Sequence, residues 1–239
     1  MPVDPQREQD VPKKPPSPLL LLLEGRVVAE FGGLLASLPL LRRLPRGDGH
    51  AVMVVPGFGA DDRTTAPLRH VLSKLGYDAQ GWGLGRNLGM RAGMKEKLGE
   101  RLRALHDEHG GKVSLIGWSL GGVFVREMAR AQPHLVRRVF TLGSPINGHP
   151  DANNMTPIFR YVNRGKPMKL DWDGFQRRRV PPPVPCVAIY SRTDGIVEWH
   201  CSREETADNT ENVEVFSSHF GLPFNPLVVR ALAARLRLP

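Results

Sequence analysis

Val113-Ser114-Leu115-Ile116-Gly117-Trp118-Ser119-Leu120-Gly121-Gly122 carries two signals in ten residues. Val113–Ile116 is a short, mostly apolar run of the kind that forms a buried strand. Residues 117–121 then spell Gly-X-Ser-X-Gly, and Leu120–Ala131 follows with helical spacing. Strand, sharp turn and helix are the context in which this pattern presents a serine hydroxyl above a sheet. The glycines have a steric reason, because such a turn crowds together the residues two before and two after the serine. The helix that begins at Leu120 also points its N-terminal amides and positive dipole end at the same place. The plainer alternative is a serine that merely caps a helix in a glycine-rich turn.

Outward from this point, strands alternate with helices. Ala51–Val55 is a continuous apolar run stopped by Pro56-Gly57, as in a strand covered on both faces. Leu68, Val71, Leu72 and Leu75 predict a helix after Thr64, with Pro67 in its first turn and Gly76 closing it. Tyr77–Trp82 reads as a second strand. Met94, Leu98, Leu102 and Leu105 mark a helix that Gly110-Gly111 ends. Val136–Leu142, Cys186–Tyr190 and Val213–Phe216 read as further strands, and Val229, Leu232, Ala233 and Leu236 give a last helix its stripe. The expected class is α/β: a mostly parallel central sheet of about six strands with helices on both faces. Ligand sites in such sheets lie at the carboxyl ends of the strands.

A serine nucleophile needs a general base, and the base needs an orienting acid. Enzymes with this elbow carry them in the chain order Ser, then Asp or Glu, then His. Asp194 lies just past the strand Cys186–Tyr190, and His219 just past Val213–Phe216. Asp194-Gly195 also reads as an ordinary turn, and His219 is one of eight histidines. His149 and His200 compete as bases, Glu198 and Asp208 as acids, but none combines the strand-end position with the order. An oxyanion would take one backbone N–H from Leu120, after the serine. The second is expected from Phe58, in the glycine-rich loop after the first core strand.

The 239 residues are 41% hydrophobic and 24% charged, which suits a folded globular chain. Residues 1–18 hold Pro2, Pro5, Pro12, Pro15, Pro16 and Pro18 and are expected to be disordered. Residues 19–43 are expected to form one or two helices, so that 1–48 is an N-terminal extension and 49–239 the main domain. The run Leu19–Leu23 invites a signal-peptide reading, but Asp4, Glu8 and Asp10 are wrong for a positive leader, and Glu24 and Arg26 cut the apolar run short. A cytoplasmic address, with peripheral membrane contact, is the expectation. No run approaches the ~20 apolar residues of a membrane span.

The net charge of +9 points to an anionic partner. Between residues 160 and 180, Arg160, Arg164, Lys166, Lys169, Arg177, Arg178 and Arg179 face only Asp171 and Asp173. This segment belongs to an irregular insertion, 148–183, expected to form a cap: its cations and apolar groups (Tyr161, Met168, Trp172, Phe175) suit a lid over an acyl chain or contact with an anionic lipid surface, the plainer alternative being a loop with its own small core. Nucleic acid is not expected, because no nucleic-acid-binding fingerprint accompanies the charge. Cys186 reads as packing, with a Cys186–Cys201 disulfide left open. No spacing of His, Cys and carboxylates suggests a metal.

On the elbow at Ser119, the acid at Asp194, the base at His219 and the Pro56-Gly57-Phe58-Gly59 loop, residues 50–239 resemble the α/β-hydrolase superfamily, most of all the small bacterial esterases and lipases. The segment Gly81-Trp82-Gly83-Leu84-Gly85-Arg86-Asn87 also resembles a motif of a lipase-like subgroup. The resemblance implies cofactor-free, serine-dependent cleavage of carboxylic esters of an apolar acyl or lipid substrate. An acyltransferase or thioesterase would share the first half-reaction. A hydrolase-fold binding module on an anionic surface is the reading of another class. The chain departs from the superfamily in lacking its first one or two strands, whose place residues 19–43 take as helices.

Overall fold

Five consecutive apolar side chains offer solvent no polar face, and the run Ala51–Val55 (β1) is accordingly buried along its whole length. The computed structural model describes residues 14–149, 151–164 and 178–238. Around β1, the strands β2 (Asp78–Gly81), β3 (Val113–Trp118), β4 (Val136–Leu142), β5 (Cys186–Tyr190) and β6 (Thr210–Glu214) form one sheet in the order β2-β1-β3-β4-β5-β6. Every neighbouring pair is parallel.

Alternate side chains of each strand face opposite layers. Val52 and Val54 pack with Leu68, Val71 and Leu72 of helix α3 (Asp62–Lys74). The same layer holds Leu34 and Leu41 of the N-terminal extension and Val228, Val229 and Leu232 of the last helix. Ala51, Met53 and Val55 pack on the other side with Leu98, Leu102 and Leu105 of α4 (Met94–His109) and Phe124, Val125 and Met128 of α5 (Leu120–Ala131). The two-sided cover explains why the central strands are continuous apolar runs.

The extension folds as two helices, α1 (Pro18–Leu22) and α2 (Val27–Leu41), joined by a 3₁₀ turn at Leu23–Arg26. Ser17 caps α1, and the Pro16 carbonyl accepts from Asn154 Nδ2 at 3.2 Å. Of the segment 1–18 expected to be disordered, residues 16–18 are therefore held in place, and residues 1–13 lie outside those described. Two boundaries differ from expectation. Helix α3 starts at Asp62, because Asp61 caps it by accepting the Arg63 N–H at 2.9 Å. Pro67 therefore lies inside the helix rather than in its first turn. Strand β6 covers Thr210–Glu214 instead of Val213–Phe216. It is an edge strand, paired only with β5, and needs no apolar run; Phe216 is 66% exposed.

Helix α6 (Thr156–Val162) lies in the insertion, and helix α7 (Pro226–Leu236) ends the fold. Of the insertion, residues 150 and 165–177 fall outside those described, and Lys166, Met168, Lys169, Trp172, Phe175 and Arg177 with them. Among the described cations, Arg160 pairs with Asp151 at 2.7 Å, Arg164 stacks over Tyr161 and Arg179 pairs with Glu205 at 2.8 Å. Cys186 and Cys201 are buried free thiols rather than a disulfide. Among the described residues, no helix is long and apolar enough to cross a membrane.

Candidate active site

Ser119 stands at the carboxyl end of β3, between Trp118 and the first residue of α5. Its φ of 54° makes it the one non-glycine residue with positive φ among those described. Such a conformation costs on the order of 1–3 kcal/mol and persists only where its surroundings enforce it. They do so here by crowding. A Cβ on Gly117 would overlap the backbone of Gly121 and Gly122, and one on Gly121 would strike the Val55 and Pro56 carbonyls. The Ser119 N–H is held by the Leu142 carbonyl at 2.8 Å.

The other two expected residues come together. His219 Nδ1 lies 2.7 Å from Asp194 Oδ2, with side chains only 2% and 1% exposed. The second carboxylate oxygen of Asp194 accepts the N–H groups of Ile196 and Val197, both at 2.8 Å. These bonds fix the carboxylate's rotamer and leave Oδ2 for the imidazole. The loops are laced to each other: Ser191 Oγ and Thr193 Oγ1 donate to the Ser217 carbonyl at 2.7 and 3.1 Å. The elbow is tied to the His219 loop by Trp118, whose indole Nε1 donates to the His219 carbonyl at 3.1 Å.

The loop Pro56–Ala60 runs beside the elbow, and a Cβ on Gly57 would stand 3.2 Å from Ser119 Cβ. The Phe58 N–H donates to no protein group among the described residues, since this turn is closed by Gly59 and Ala60 instead. Leu120, first in α5, has no acceptor within its helix. Two free amides thus flank the serine. The Phe58 ring packs against Phe159 of α6 with centroids 5.0 Å apart, giving that side an apolar wall.

Asn87 closes the segment Gly81–Asn87 and accounts for part of it. Fully buried, it donates from Nδ2 to the Pro56 carbonyl at 2.8 Å. Its backbone accepts the Gly59 N–H at 2.7 Å and donates to Ala60 at 2.8 Å. Trp82 and Gly83 anchor the segment's start by donating to Asp62 at 3.0 and 2.9 Å. The segment therefore sets the shape of the Phe58 loop, a role that local sequence did not reveal.

Of the competing candidates, Asp208 lies exposed on the surface, and the other three are engaged with each other or with their own turns. Glu198 caps its own turn and holds His200 at 2.8 Å, and His200 is half exposed. His149 faces Asp151 at 3.5 Å. Among the described residues no cluster of His, Cys, Asp or Glu is placed to hold a metal ion.

Neither a protein-family model nor the sequence of a curated protein matches the chain. Solved structures do. Lipase B of Aspergillus fumigatus superposes with a TM-score of 0.57 at 16% identity; the match covers 79% of this chain and 52% of that one, so the chain spans about half of that lipase. A structure of the metagenome-derived lipolytic enzymes LipS and LipT gives 0.61 at 15% identity, covering 81% and 96%. The thioesterase domain from the curacin biosynthetic pathway gives 0.53 at 12% identity, covering 80% and 92%. A parallel six-stranded sheet covered on both faces, shared at such low identity with lipases and a thioesterase, is a likeness of fold: this chain has the α/β-hydrolase fold.

Proposed function

We propose that the chain is a serine hydrolase that cleaves carboxylic esters of apolar acyl substrates. The observation that carries this reading is the buried 2.7 Å contact between His219 and Asp194, tied through Trp118 to a serine held at φ 54°. In this mechanism His219 takes the Ser119 hydroxyl proton as Oγ attacks the ester carbonyl. The resulting oxyanion is held by the Phe58 and Leu120 amides. Asp194 fixes the imidazole tautomer and stabilises the imidazolium. His219 returns the proton to the leaving alcohol, leaving an acyl group on Ser119. Water, deprotonated by His219, then adds to the acyl carbonyl; collapse releases the acid and restores the Ser119 hydroxyl. The Phe58–Phe159 wall favours an apolar acyl chain.

The test is hydrolysis of short- and long-acyl nitrophenyl esters by the parent and by Ser119→Ala. Loss of a triad member costs on the order of 10³-fold or more in kcat. A folded Ser119→Ala protein that keeps most of its activity would eliminate the mechanism. Transfer to an added alcohol, or preference for a thioester, would move the reading to acyltransferase or thioesterase. Ester-inactive protein that binds anionic vesicles would point to a binding module.

A further inference from the structure

We propose that Glu24, from the N-terminal extension, is a positioning residue for the Asp194–His219 pair, an inference that rests on reading those residues as acid and base. The Glu24 carboxylate is buried, with 4% exposure, at the turn between α1 and α2. Oε1 accepts two backbone N–H groups, from Gly195 at 2.7 Å and from His219 at 2.8 Å. Oε2 accepts the N–H of Phe220 at 3.0 Å. One oxygen thus joins the residue after the acid to the backbone of the base itself. Among the described residues no Lys or Arg pairs with this carboxylate, so the three amides carry the cost of burying it.

The neighbouring contacts repeat the pattern. Arg26 donates to the carbonyl and hydroxyl of Thr193, both at 2.7 Å. Glu30 accepts the Ser218 N–H at 2.7 Å. The α1 backbone presses so closely on Gly195 that a Cβ there would run into the Leu20 carbonyl. Three side chains within seven residues of sequence therefore hold both loops, and each contact falls on the acid's or base's own residue or within two positions of it.

The geometry gives this bracket a consequence for chemistry. Asp194 and His219 stand on loops that leave neighbouring parallel strands, and their alignment depends on how those loops sit relative to each other. Displacements near 1 Å in such a constellation cost about 10²-fold in rate. Glutamine at position 24 offers one oxygen to three N–H groups: set on Gly195 and His219 it turns its NH₂ against the Phe220 N–H, and set on Phe220 it gives up the bridge, so either placement loosens the bracket without emptying the site.

The experiment compares the full-length parent with Glu24→Gln, Glu24→Ala and a control, Glu211→Gln, which removes the surface ion pair to Arg235 far from the site. Three quantities are read: kcat and KM on nitrophenyl butyrate, thermal midpoint, and the downfield proton resonance of the His219 Nδ1–H, assigned by its loss in His219→Ala. Folded Glu24→Gln is expected to lose about 10- to 100-fold in kcat with KM changed less than about twofold, and to shift or broaden the resonance. Glu211→Gln is expected to keep kcat. If Glu24→Ala does not fold, Glu24→Gln carries the test. Parental kcat and an unmoved resonance in Glu24→Gln overturn the proposal, and so does an equal kcat loss in Glu211→Gln. A parent that hydrolyses no ester defeats the hydrolase reading alone; the resonance then decides for or against the bracket.

Discussion

A single carbon added at Gly143, the first residue beyond β4, would reach both Asp194 and His219. The glycine has a φ of 55°, which L side chains rarely adopt, and a Cβ there would stand 3.0 Å from Asp194 Oδ2 and 3.2 Å from His219 Nδ1. It would also press into Leu222. Gly143→Ala is therefore expected to push the imidazole off the carboxylate. Steady-state kinetics on a soluble ester should show kcat reduced on the order of 10²-fold. Circular dichroism should report an unchanged fold. An alanine variant with parental kcat would mean that this spacing has no part in the reaction.

At the scale of elements, the central strands were legible because burial on both faces writes itself as apolar runs, as in Ala51–Val55 and Cys186–Tyr190. Edge strand β6 was not, because a strand paired on one side only can be as polar as Thr-Glu-Asn-Val-Glu. The chain order of Ser119, Asp194 and His219 was legible because each follows a strand. Glu24 and Asn87 were hidden for a physical reason. Their partners are backbone groups, which carry no residue signature, and Glu24 finds its own 171 and 195 positions away. Helix α5 adds a further contact of this kind. Arg126, 2% exposed, reaches Glu204 at 3.0 Å and donates to the Val180 carbonyl at 3.2 Å, holding the return limb of the insertion. Burial pushes the Glu204 carboxyl above its usual range, against the pull of Arg126. Arg126→Ala would leave that carboxyl without its partner. Urea denaturation should show a loss of about 3–5 kcal/mol, the size found when one member of a buried pair is removed.

At the scale of the whole molecule, the two thiols report on cooperative opening. Burial pushes the Cys186 thiol up to about 12, and it raises the Cys201 thiol as well. Both are therefore protonated at pH 8 and covered on every side, and thiolate is the reactive form. An aromatic disulfide reagent should titrate no thiol in the native protein and two after unfolding in guanidinium. Fast reaction of either thiol in the native state would show that its layer opens locally. The same closed architecture leaves the serine hydroxyl at the sheet's carboxyl edge as the expected nucleophile, and that is the claim on which the functional account stands. It is tested most directly by treating the folded protein with a fluorophosphonate and mapping the adduct by peptide mass. The account predicts one adduct per chain, on Ser119, absent in Ser119→Ala and slowed by an apolar ester. An adduct on another residue, or an ester-hydrolysing protein that takes up none, would contradict it.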